Sequence, residues 1–449
     1  MAIIAPFRAL RYDPLRVDLA QVVTQPYDKI SPEMQQRYYA ASPYNLVRII
    51  LGKPESSDGP ADNVYTRAAG FFCEWRKQGI FLQDSEPSVY GYVQDFKGPD
   101  QHVLERHGFI ALGRIEEYAD NVVFRHEQTL AKPKADRLEL LRATRAHWEQ
   151  LFMLYRDPED EIDRRLAPPS EPDISIRDEY GVQHRVWRIS DSQAIAAIQA
   201  AMASKKLIIA DGHHRYETAL HYRNERRSSR ASAAAGARQE GSAAGTVPEH
   251  SGAAAYESVM MTFINLDSPG LVILPTHRVV AQLPSFSSEA FSRQLRQYFT
   301  VEELDASIGP HRAAAILHEA GRAGFALVAV TADRAMLLHH PRALGSSIFG
   351  GLSFRQQLLD VVQLQQLVLE GVLGISKEAI RQQQNISYVR EVGEALDRVR
   401  TGRANVAFLM NPVRISQVED IAFAGEVLPQ KSTDFYPKLL SGLTIYALE

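Results

Sequence analysis

A short apolar run followed by a helical pattern organises the middle of the chain. Residues 207–210 read L-I-I-A, which predicts a buried strand. Asp211 and Gly212 interrupt this run. From His213 onward the sequence H-H-R-Y-E-T-A-L repeats its apolar residues at a spacing of three and four, which predicts a helix. The block D-G-H-H-R therefore lies where a buried strand gives way to a helix.

Similar patterns predict the other elements. Before the junction we expect strands at residues 3–7, 21–23, 88–96, 103–112 and 182–189, a loop leading into a strand over 42–51, and helices from 31, over 64–79, from 133 and over 190–205. After it we expect strands at residues 256–266, 271–274, 325–331 and 334–339, and helices over 286–299 and 360–373. Alternating strands and helices indicate an α/β or mixed α+β fold built in layers.

Composition divides the 449 residues into three parts. Residues 226–252 contain no aromatic residue and are rich in Ala, Ser, Gly and Arg. Such a segment cannot offset its ordering entropy by burial, so we expect a disordered insertion. It separates an N-terminal α/β part, residues 1–225, from a C-terminal α+β part, residues 253–449.

The chemistry of the junction favours a bound anion. The first N–H groups of a helix have no partner within the helix, and the helix dipole attracts negative charge. Gly212 lets a ligand approach the backbone, and Arg215 supplies a planar cation suited to phosphate or carboxylate. Helix capping by Asp211 and packing of His213 and His214 are the structural alternative, which we consider the weaker one for this combination of residues.

Two other stretches place titratable residues ahead of predicted helices. Tyr27 and Asp28 precede one helix, with Asn45 expected nearby, and His126 and Glu127 precede another. Turn formation and solvated helix faces are the structural alternatives. If these stretches converge on the junction, the site holds anion donors, candidate bases and oxygen ligands suited to Mg²⁺, which are the components of phosphoryl transfer.

The C-terminal part contributes two polar stretches. P-T-H-R ends a predicted strand and presents His277 and Arg278, although a histidine satisfied at a sheet edge is an equally good interpretation. P-Q-K-S-T-D-F-Y-P-K lies between apolar segments, and its Lys431 and Ser432 resemble the chemistry of a phosphate loop. The glycines of a Walker motif are missing, so it is not one.

The sequence A-D-G-H-H-R-Y-E-T-A-L resembles the hallmark of the DUF1015 family of bacteria and archaea. The blocks Y-D-K-I-S-P, H-E-x-T…P-K-x-D-R (which includes Arg137) and the C-terminal P-Q-K-S-T-D-F-Y-P-K resemble further blocks of this family, so the resemblance covers nearly the whole chain. More distantly, D-G-H-H-R is similar to the nucleotide site of the ParB/sulfiredoxin superfamily, which includes free-L-serine kinases. The resemblance implies a ParB/sulfiredoxin-like nucleotide-site core elaborated by a second α+β part.

The leading hypothesis is a nucleotide-dependent kinase of a small hydroxylated metabolite, with L-serine the first candidate, ATP or ADP the donor and Mg²⁺ held through Asp211 or Glu127. The expected catalytic residues are Asp211, Glu127 and His213, with Asp211 or Glu127 accepting the hydroxyl proton. Binding is assigned to Gly212, His214, Arg215, Tyr27, Asp28, Asn45, His126, Arg137, His277, Arg278, Lys431 and Ser432. A ParB-like nucleotide-binding regulatory protein, or a phosphatase or nucleotide hydrolase, are the alternatives.

Charge and cysteine content narrow the class further. A net charge of −4 and the lack of a helix-turn-helix pattern argue against a nucleic-acid partner. The single cysteine, Cys73, excludes an intrachain disulfide framework and a cysteine-rich zinc site. The N-terminus does not resemble a signal peptide, and no apolar run approaches the ~20 residues that span a membrane. We therefore expect a cytoplasmic protein whose partners are a nucleotide and a small substrate.

Overall fold

The computed structural model describes residues 1–129, 131–166, 171–239, 254–342 and 346–448. Their contacts form two units, which we describe separately. Unit 1 comprises Met1–Phe124, Thr129–Val272 and Pro437–Glu449, and unit 2 comprises Arg125–Gln128 and Ile273–Tyr436. Both units combine helices with sheets, so the fold is mixed α+β, as the sequence predicts.

The strands are β1 (Ile4–Ala5), β2 (Leu10–Tyr12), β3 (Phe81–Gln83), β4 (Val89–Lys97), β5 (Val103–Arg114), β6 (Val123–Phe124), β7 (Ala146–His147), β8 (Leu151–Tyr155), β9 (Ile174–Arg177), β10 (Gln183–Ile189), β11 (Leu207–Asp211), β12 (Ser258–Asn265), β13 (Val272–Leu274), β14 (His277–Val280), β15 (Thr300–Leu304), β16 (Ala326–Val330), β17 (Ala335–His339), β18 (Ile386–Val389), β19 (Val406–Met410), β20 (Asp434–Tyr436) and β21 (Tyr446–Ala447).

The α-helices are α1 (Leu19–Val22), α2 (Pro32–Ala41), α3 (Val47–Ile50), α4 (Val64–Lys77), α5 (Ala131–Thr144), α6 (Ser192–Met202), α7 (His213–Gln239), α8 (Ser288–Leu295), α9 (Pro310–Arg322), α10 (Phe354–Gln357), α11 (Asp360–Gln363), α12 (Lys377–Arg381), α13 (Val392–Arg400) and α14 (Ile415–Phe423). A π-helical segment, Leu364–Val372, continues α11, and Tyr27–Lys29 forms a 3₁₀ turn.

Unit 1 is built on a mixed sheet with the strand order β6-β11-β8-β12-β5-β4-β10-β9, and β1 pairs with β5. The hairpin of β4 and β5, predicted from their alternating pattern, is antiparallel. Strand β11 pairs in parallel with β6 and antiparallel with β8. The chain returns at its C-terminal end, where β21 pairs with β7. Strand β11 is therefore held on both sides, which fixes the point where it ends.

Two apolar cores support unit 1. In the first, α6 and α7 contribute Ile198, Met202 and Tyr216 to a cluster with Phe109 and Phe263 of the sheet. In the second, α4 and α5 pack around an aromatic group that includes Trp75, Trp148, Phe72 and Phe81. Burial of large apolar side chains is the main stabilising term in such cores. Both ends of the β11–α7 connection are therefore anchored in packed structure.

Unit 2 is built on an antiparallel sheet with the order β15-β17-β16-β19-β14-β18. Helices α9 and α13 contribute Ala313, Leu317, Leu396 and Val399 to a core with Val328 and other apolar residues of the strands. In the register, β16 runs against both of its neighbours. The start of β16 and the ends of β17 and β19 therefore lie at one edge of this sheet.

Two short segments differ from the predicted secondary structure. Residues 21–23 were expected in a strand, but α1 occupies Leu19–Val22, with the Asp18 side chain accepting a hydrogen bond from the Ala20 N–H at 3.0 Å. A strand was likewise expected after Asn45, but Val47–Ile50 is helical, and the Asn45 Oδ1 accepts from the Val47 N–H at 2.9 Å. In both cases a local capping bond outweighs the β preference of the apolar residues.

The predicted insertion and domain boundaries also differ from the structure. Helix α7 continues to Gln239, so residues 226–239 are helical rather than disordered, which agrees with the high helix propensity of their alanines. Residues 240–252 lie outside the described residues. The division at 225 and 253 is replaced by units that exchange segments, because β12 completes the sheet of unit 1 and residues 437–449 return to it.

Candidate functional site

The predicted strand-to-helix junction is present. Strand β11 ends at Asp211 and α7 begins at His213. Between them Gly212 has a φ of +95°, a backbone conformation that residues with a side chain rarely adopt. A Cβ at this position would lie 2.9 Å from Leu151 Cδ2. Glycine is therefore required here both by the turn and by its packing, and it sets where the first turn of α7 begins.

Asp211 lies at the end of a bulged strand, since the register with β8 shifts between Ile209 and Asp211. Its Oδ1 accepts a hydrogen bond from the Gly212 N–H at 2.7 Å, and its Oδ2 lies 2.9 Å from Lys438 Nζ. Burial alone would raise the pKa of Asp211, but the charges of Lys438, Arg215 and Lys29 outweigh it and hold this pKa far below its usual value.

A carboxylate whose pKa is held far below that of an ordinary aspartate is a weaker proton acceptor than an unperturbed one, because a general base works best with a pKa near the working pH. The environment of Asp211 therefore disfavours the expected role as catalytic base. It favours a different one, in which Asp211 holds the cations around it in place.

Arg215 provides the fixed cation of the first turn of α7. Its Nη1 donates to the Gln150 carbonyl at 2.5 Å. Burial would lower the pKa of Arg215, but the carboxylates of Glu149, Asp211 and Asp28 raise it. Arg215 is thus charged at every accessible pH and is held by the backbone of the neighbouring strand segment.

Tyr27 is tied to this cluster from the opposite end of the sequence. Its N–H donates to Glu149 Oε1 at 3.0 Å, and the Arg137 guanidinium lies 4.1 Å from the centre of its ring. Arg137 is itself buried and donates from Nη1 to the Ile50 carbonyl at 2.7 Å. Burial, reinforced by the charge of Asp28, raises the pKa of Tyr27. Tyr27 therefore remains a neutral phenol, and the Arg137 guanidinium lies over its ring.

Asp28 and Lys29 complete the same 3₁₀ turn. Asp28 is exposed, and its negative charge raises the pKa of Arg215. The positive charge of Lys29 lowers the pKa of Asp211. The turn Tyr27–Lys29 therefore lies in the electrostatic neighbourhood of the junction. Binding roles for Tyr27 and Asp28 remain predictions.

Sequence reasoning missed two residues of this cluster, of which Glu149 is one. Glu149 is buried, its Oε1 accepts from the Tyr27 N–H and from the Ser441 hydroxyl at 3.3 Å, and its Oε2 lies 3.9 Å from Arg137 Nη1. Its signal in the sequence is a lone acidic residue beside Trp148 at the start of an apolar run. A charge in such a position is rare unless it is paired.

Lys438 is the second missed residue. It ends the block P-Q-K-S-T-D-F-Y-P-K, in which Lys431 was preferred because hydroxyl residues follow it. Only 9% of the Lys438 side chain is exposed. Its carbonyl accepts from Gln94 Nε2 at 2.9 Å, and the preceding Pro437 carbonyl accepts from the buried Arg106 at 2.6 Å. These bonds fix the returning chain so that the ammonium meets Asp211.

The remaining predicted residues of unit 1 have different surroundings. His213 is buried and His214 is half-buried, and as successive residues of α7 they point in different directions. Asn45 is fully buried, and besides capping α3 its Nδ2 donates to the Gln21 carbonyl at 2.7 Å. These contacts give Asn45 a structural role in the turn before α3.

His126 and Glu127 belong to unit 2, where they contact the C-terminal block. The Lys431 N–H donates to Glu127 Oε1 at 2.7 Å, and His126 Nε2 lies 2.8 Å from Thr433 Oγ1. Lys431 has a φ of +58°, and the Ser432 hydroxyl donates to the Pro429 carbonyl at 2.5 Å. Glu127 thus stabilises a strained turn, and its convergence with Asp211 remains a prediction.

His277 and Arg278 were expected in a loop after a strand, but they begin strand β14. Both are buried. Arg278 donates to the Thr276 carbonyl at 2.5 Å and to the Lys431 carbonyl at 3.3 Å, and His277 Nδ1 accepts from the Met410 N–H at 3.1 Å. The hydrogen-bonded pairing of β14 with β18 and β19 explains why these residues lie in a strand and not in a loop. Binding roles for His277 and Arg278 remain predictions.

Among the described residues, no cluster of three or more His, Cys, Asp or Glu side chains could hold a metal ion. In the same part of the chain, none of the helices is both long enough and apolar enough to cross a bilayer.

The model of the family described as "Protein of unknown function (DUF1015)" matches residues 4–362, which is more than half of the chain. The chain belongs to the DUF1015 family. This confirms the resemblance carried by A-D-G-H-H-R-Y-E-T-A-L. A search of curated proteins finds no match.

Solved structures similar to this DUF1015 chain include a conserved hypothetical protein from Pyrococcus furiosus, with 12% identity, a TM-score of 0.35, and coverage of 73% of this chain and 92% of that one. A free serine kinase in complex with AMP has 14% identity, a TM-score of 0.32, and coverage of 72% and 89%. SbnI with a C-terminal truncation, from Staphylococcus aureus, has 11% identity, a TM-score of 0.33, and coverage of 75% and 87%. At these TM-scores, none of the three assigns a function.

Proposed function

We propose that this protein is a nucleotide-dependent kinase of a small hydroxylated metabolite, with L-serine the first candidate substrate and ATP or ADP the phosphate donor. The observation that carries the proposal is the convergence of the charges of Lys438, Arg215 and Lys29 on Asp211 where α7 begins. The choice of serine rests on the resemblance of D-G-H-H-R to the site of free-L-serine kinases, which is an analogy at the level of the motif.

The cluster suits the phosphates of a nucleotide. Phosphoryl transfer depends mainly on positioning and on neutralising the charge of the transferred group. The Lys438 ammonium is paired with Asp211 and the Arg215 guanidinium with the Gln150 carbonyl before any ligand arrives, so ligand binding costs little side-chain entropy at these two residues. The amino end of α7 adds its dipole, which attracts negative charge.

The acidic residues have separate roles in this proposal. Asp211 keeps Lys438 and Arg215 in place, whereas the exposed Asp28 is the carboxylate of the cluster that can reach a substrate hydroxyl and accept its proton. Tyr27 stays protonated and can donate a hydrogen bond to a phosphate oxygen. Glu149 holds the turn that carries Tyr27 and Asp28.

Mg²⁺ fits this arrangement as a companion of the nucleotide rather than as an ion in a protein cage. Magnesium is commonly bound through one or two carboxylates together with substrate phosphates and water. Asp211 and Asp28 are the residues that would supply those carboxylates, and the ion would neutralise charge on the phosphates.

The test begins with the wild-type protein, ATP or ADP, Mg²⁺ and a panel of amino acids that includes L-serine, with products followed by phosphorus NMR. Two variants then separate binding from transfer. Asp211→Asn should lower turnover by about 10² or more, since a displaced cation no longer neutralises the transferring phosphate. Its affinity for nucleotide should remain similar or increase, because a negative charge has been removed from an anion site.

Arg215→Ala should weaken nucleotide binding by about 1.5–3 kcal/mol, the usual contribution of a charge-assisted hydrogen bond. Arg293→Ala, on the exposed face of α8, is the matched control and should change neither quantity. If the wild type binds nucleotide but phosphorylates no small acceptor, and Asp211→Asn alters only affinity, the kinase proposal fails and a nucleotide-binding regulatory protein replaces it. Release of inorganic phosphate without an acceptor would indicate a phosphatase or nucleotide hydrolase.

A further inference from the structure

Unit 2 contains a cavity of about 490 Å³ at one edge of its sheet. Ala326, the first residue of β16, lies opposite His339, the last of β17, and Leu327 lies opposite Met410, the last of β19. The segments before β16 and after β17 and β19 therefore line the same cavity, and the start of α11 lines it as well. Its volume lies within the usual range for small-molecule sites.

Two opposite charges line this cavity. Asp360 lies in the first turn of α11 and Arg414 immediately precedes α14. Among the described residues, no Lys, Arg or His nitrogen lies within 4.0 Å of the Asp360 carboxylate. Burial raises the pKa of Asp360 to about 7, whereas a hydrogen bond from the Ala326 backbone and, after it, the charge of Arg414 act in the opposite direction. The two groups thus influence each other across the cavity without forming a direct ion pair.

The rest of the lining is largely apolar. Ala320, Ala323, Phe325, Leu358 and Val361 contribute to its wall. Leu358 is 54% exposed, which is unusual for a large apolar side chain next to a cavity. The cavity therefore offers apolar surface beside a separated carboxylate and guanidinium.

We propose that this cavity binds an α-amino acid with a large apolar side chain, its ammonium on Asp360 and its carboxylate on Arg414. An α-amino acid carries both charges on one carbon, so a single small ligand can bridge the two groups while its side chain covers the apolar wall. A nucleotide is a poorer occupant, because its phosphates would be repelled by Asp360. The inference does not rest on the proposed kinase activity, because Asp360 and Arg414 belong to unit 2 and the phosphate-binding cluster belongs to unit 1.

The test uses the full-length protein and three matched probes in isothermal titration calorimetry: L-phenylalanine, phenethylamine, which lacks the carboxylate, and 3-phenylpropanoate, which lacks the ammonium. L-phenylalanine should bind best. Asp360→Asn and Arg414→Ala should each weaken its binding about tenfold or more, the effect of losing a charge-assisted hydrogen bond. Arg322→Ala, an exposed arginine on α9 outside the cavity, should leave binding unchanged.

The pH dependence provides a second readout. Binding of L-phenylalanine to the wild type should strengthen from pH 6 to pH 8, as Asp360 loses its proton, and this change should be smaller in Asp360→Asn. His339, His340 and Arg414 line the same cavity, so any pH dependence that persists in Asp360→Asn comes from groups other than Asp360.

Ala323→Phe keeps both charges and fills the mouth of the cavity from an exposed position, so it should abolish binding while the unfolding curve stays that of the wild type. The proposal is overturned if L-phenylalanine does not bind at millimolar concentration. Equal binding of L-phenylalanine to the wild type and to Asp360→Asn would also overturn it, since Asp360 would then contribute nothing.

Discussion

The ion pair between Lys438 and Asp211 connects the C-terminal segment to the candidate site, and its removal is the sharpest test of the structure. Lys438→Met keeps the length and apolar stem of the side chain and removes only the charge. At the observed separation of 2.9 Å, two unit charges attract by about 6 kcal/mol at an effective dielectric constant of about 20. This is the gross attraction, and much of it offsets the cost of desolvating both groups.

The net loss on substitution is smaller. Removing one partner of a buried pair typically costs about 3–5 kcal/mol. Because Arg215 and Lys29 still act on Asp211, and the Asp211 side chain is 22% exposed, we expect about 2–3 kcal/mol at pH 7. With a urea slope of about 3 kcal/mol/M, the unfolding midpoint should fall by about 0.7–1 M. Lys438→Arg, which retains the charge, should lose much less.

The assay is urea unfolding followed by tryptophan fluorescence, because all three tryptophans, Trp75, Trp148 and Trp187, lie in unit 1. The folded-state pKa of Asp211 lies below the unfolded value of about 3.9, so the stabilisation is present above about pH 4 and is lost as the pH falls further. The difference between wild type and Lys438→Met should therefore be largest at pH 7 and shrink below pH 4. Equal midpoints at pH 7, or a difference independent of pH, would refute this reasoning.

Three further predictions follow from local geometry and composition. Gly212→Ala should destabilise unit 1 by about 1–3 kcal/mol, because Gly212 has a φ of +95°. Gly70→Ala, in helix α4 with no neighbouring group within 4 Å of the added Cβ, should instead stabilise unit 1 by up to about 1 kcal/mol. The midpoints of urea unfolding measure both effects. Burial, aided by the charge of Arg278, lowers the pKa of His277 to about 4. Its imidazole NMR signal, assigned by its loss in His277→Gln, should therefore titrate near pH 4, and the contribution of His277 to stability should fall as the pH drops from 6.5 to 4. Titration near pH 6.5 would contradict this. Replacing residues 240–252 with a short Gly-Ser linker should leave the fluorescence midpoint within experimental error, since their composition offers little to bury, and a lower midpoint would show that they pack.

Elements specified by nearby residues were predictable from the sequence. The Ser31 Oγ accepts from the Met34 N–H at 3.2 Å and starts α2, as S-P-E indicates. The alternating pattern of β4 and β5 and the apolar run of β11 followed by Gly212 likewise predict what the structure contains. Each of these depends on residues within a few positions of one another, so the information is present in a short window of sequence.

Where local signals competed, the prediction was wrong. The apolar residues after Asn45 have a β preference, yet α3 starts where the Asn45 Oδ1 accepts a hydrogen bond from the Val47 N–H. A pattern of apolar residues alone does not show which of two local preferences prevails, because the outcome depends on the surfaces against which the residues are buried. Val47, Ile49 and Ile50 are all buried, and either a strand or a helix would have satisfied their hydrophobicity.

The electrostatics of the candidate site were decided by the tertiary structure. The sequence indicated that Asp211 and Arg215 lie together, because only three residues separate them at the junction of strand and helix. It contained no measure of the distance from Asp211 to Lys438, which the bonds of Arg106 and Gln94 to the returning chain bring to 2.9 Å. That proximity lowers the pKa of Asp211 and argues against its expected role as proton acceptor. Pairing across such a span of chain depends on how whole strands pack, which no local pattern encodes.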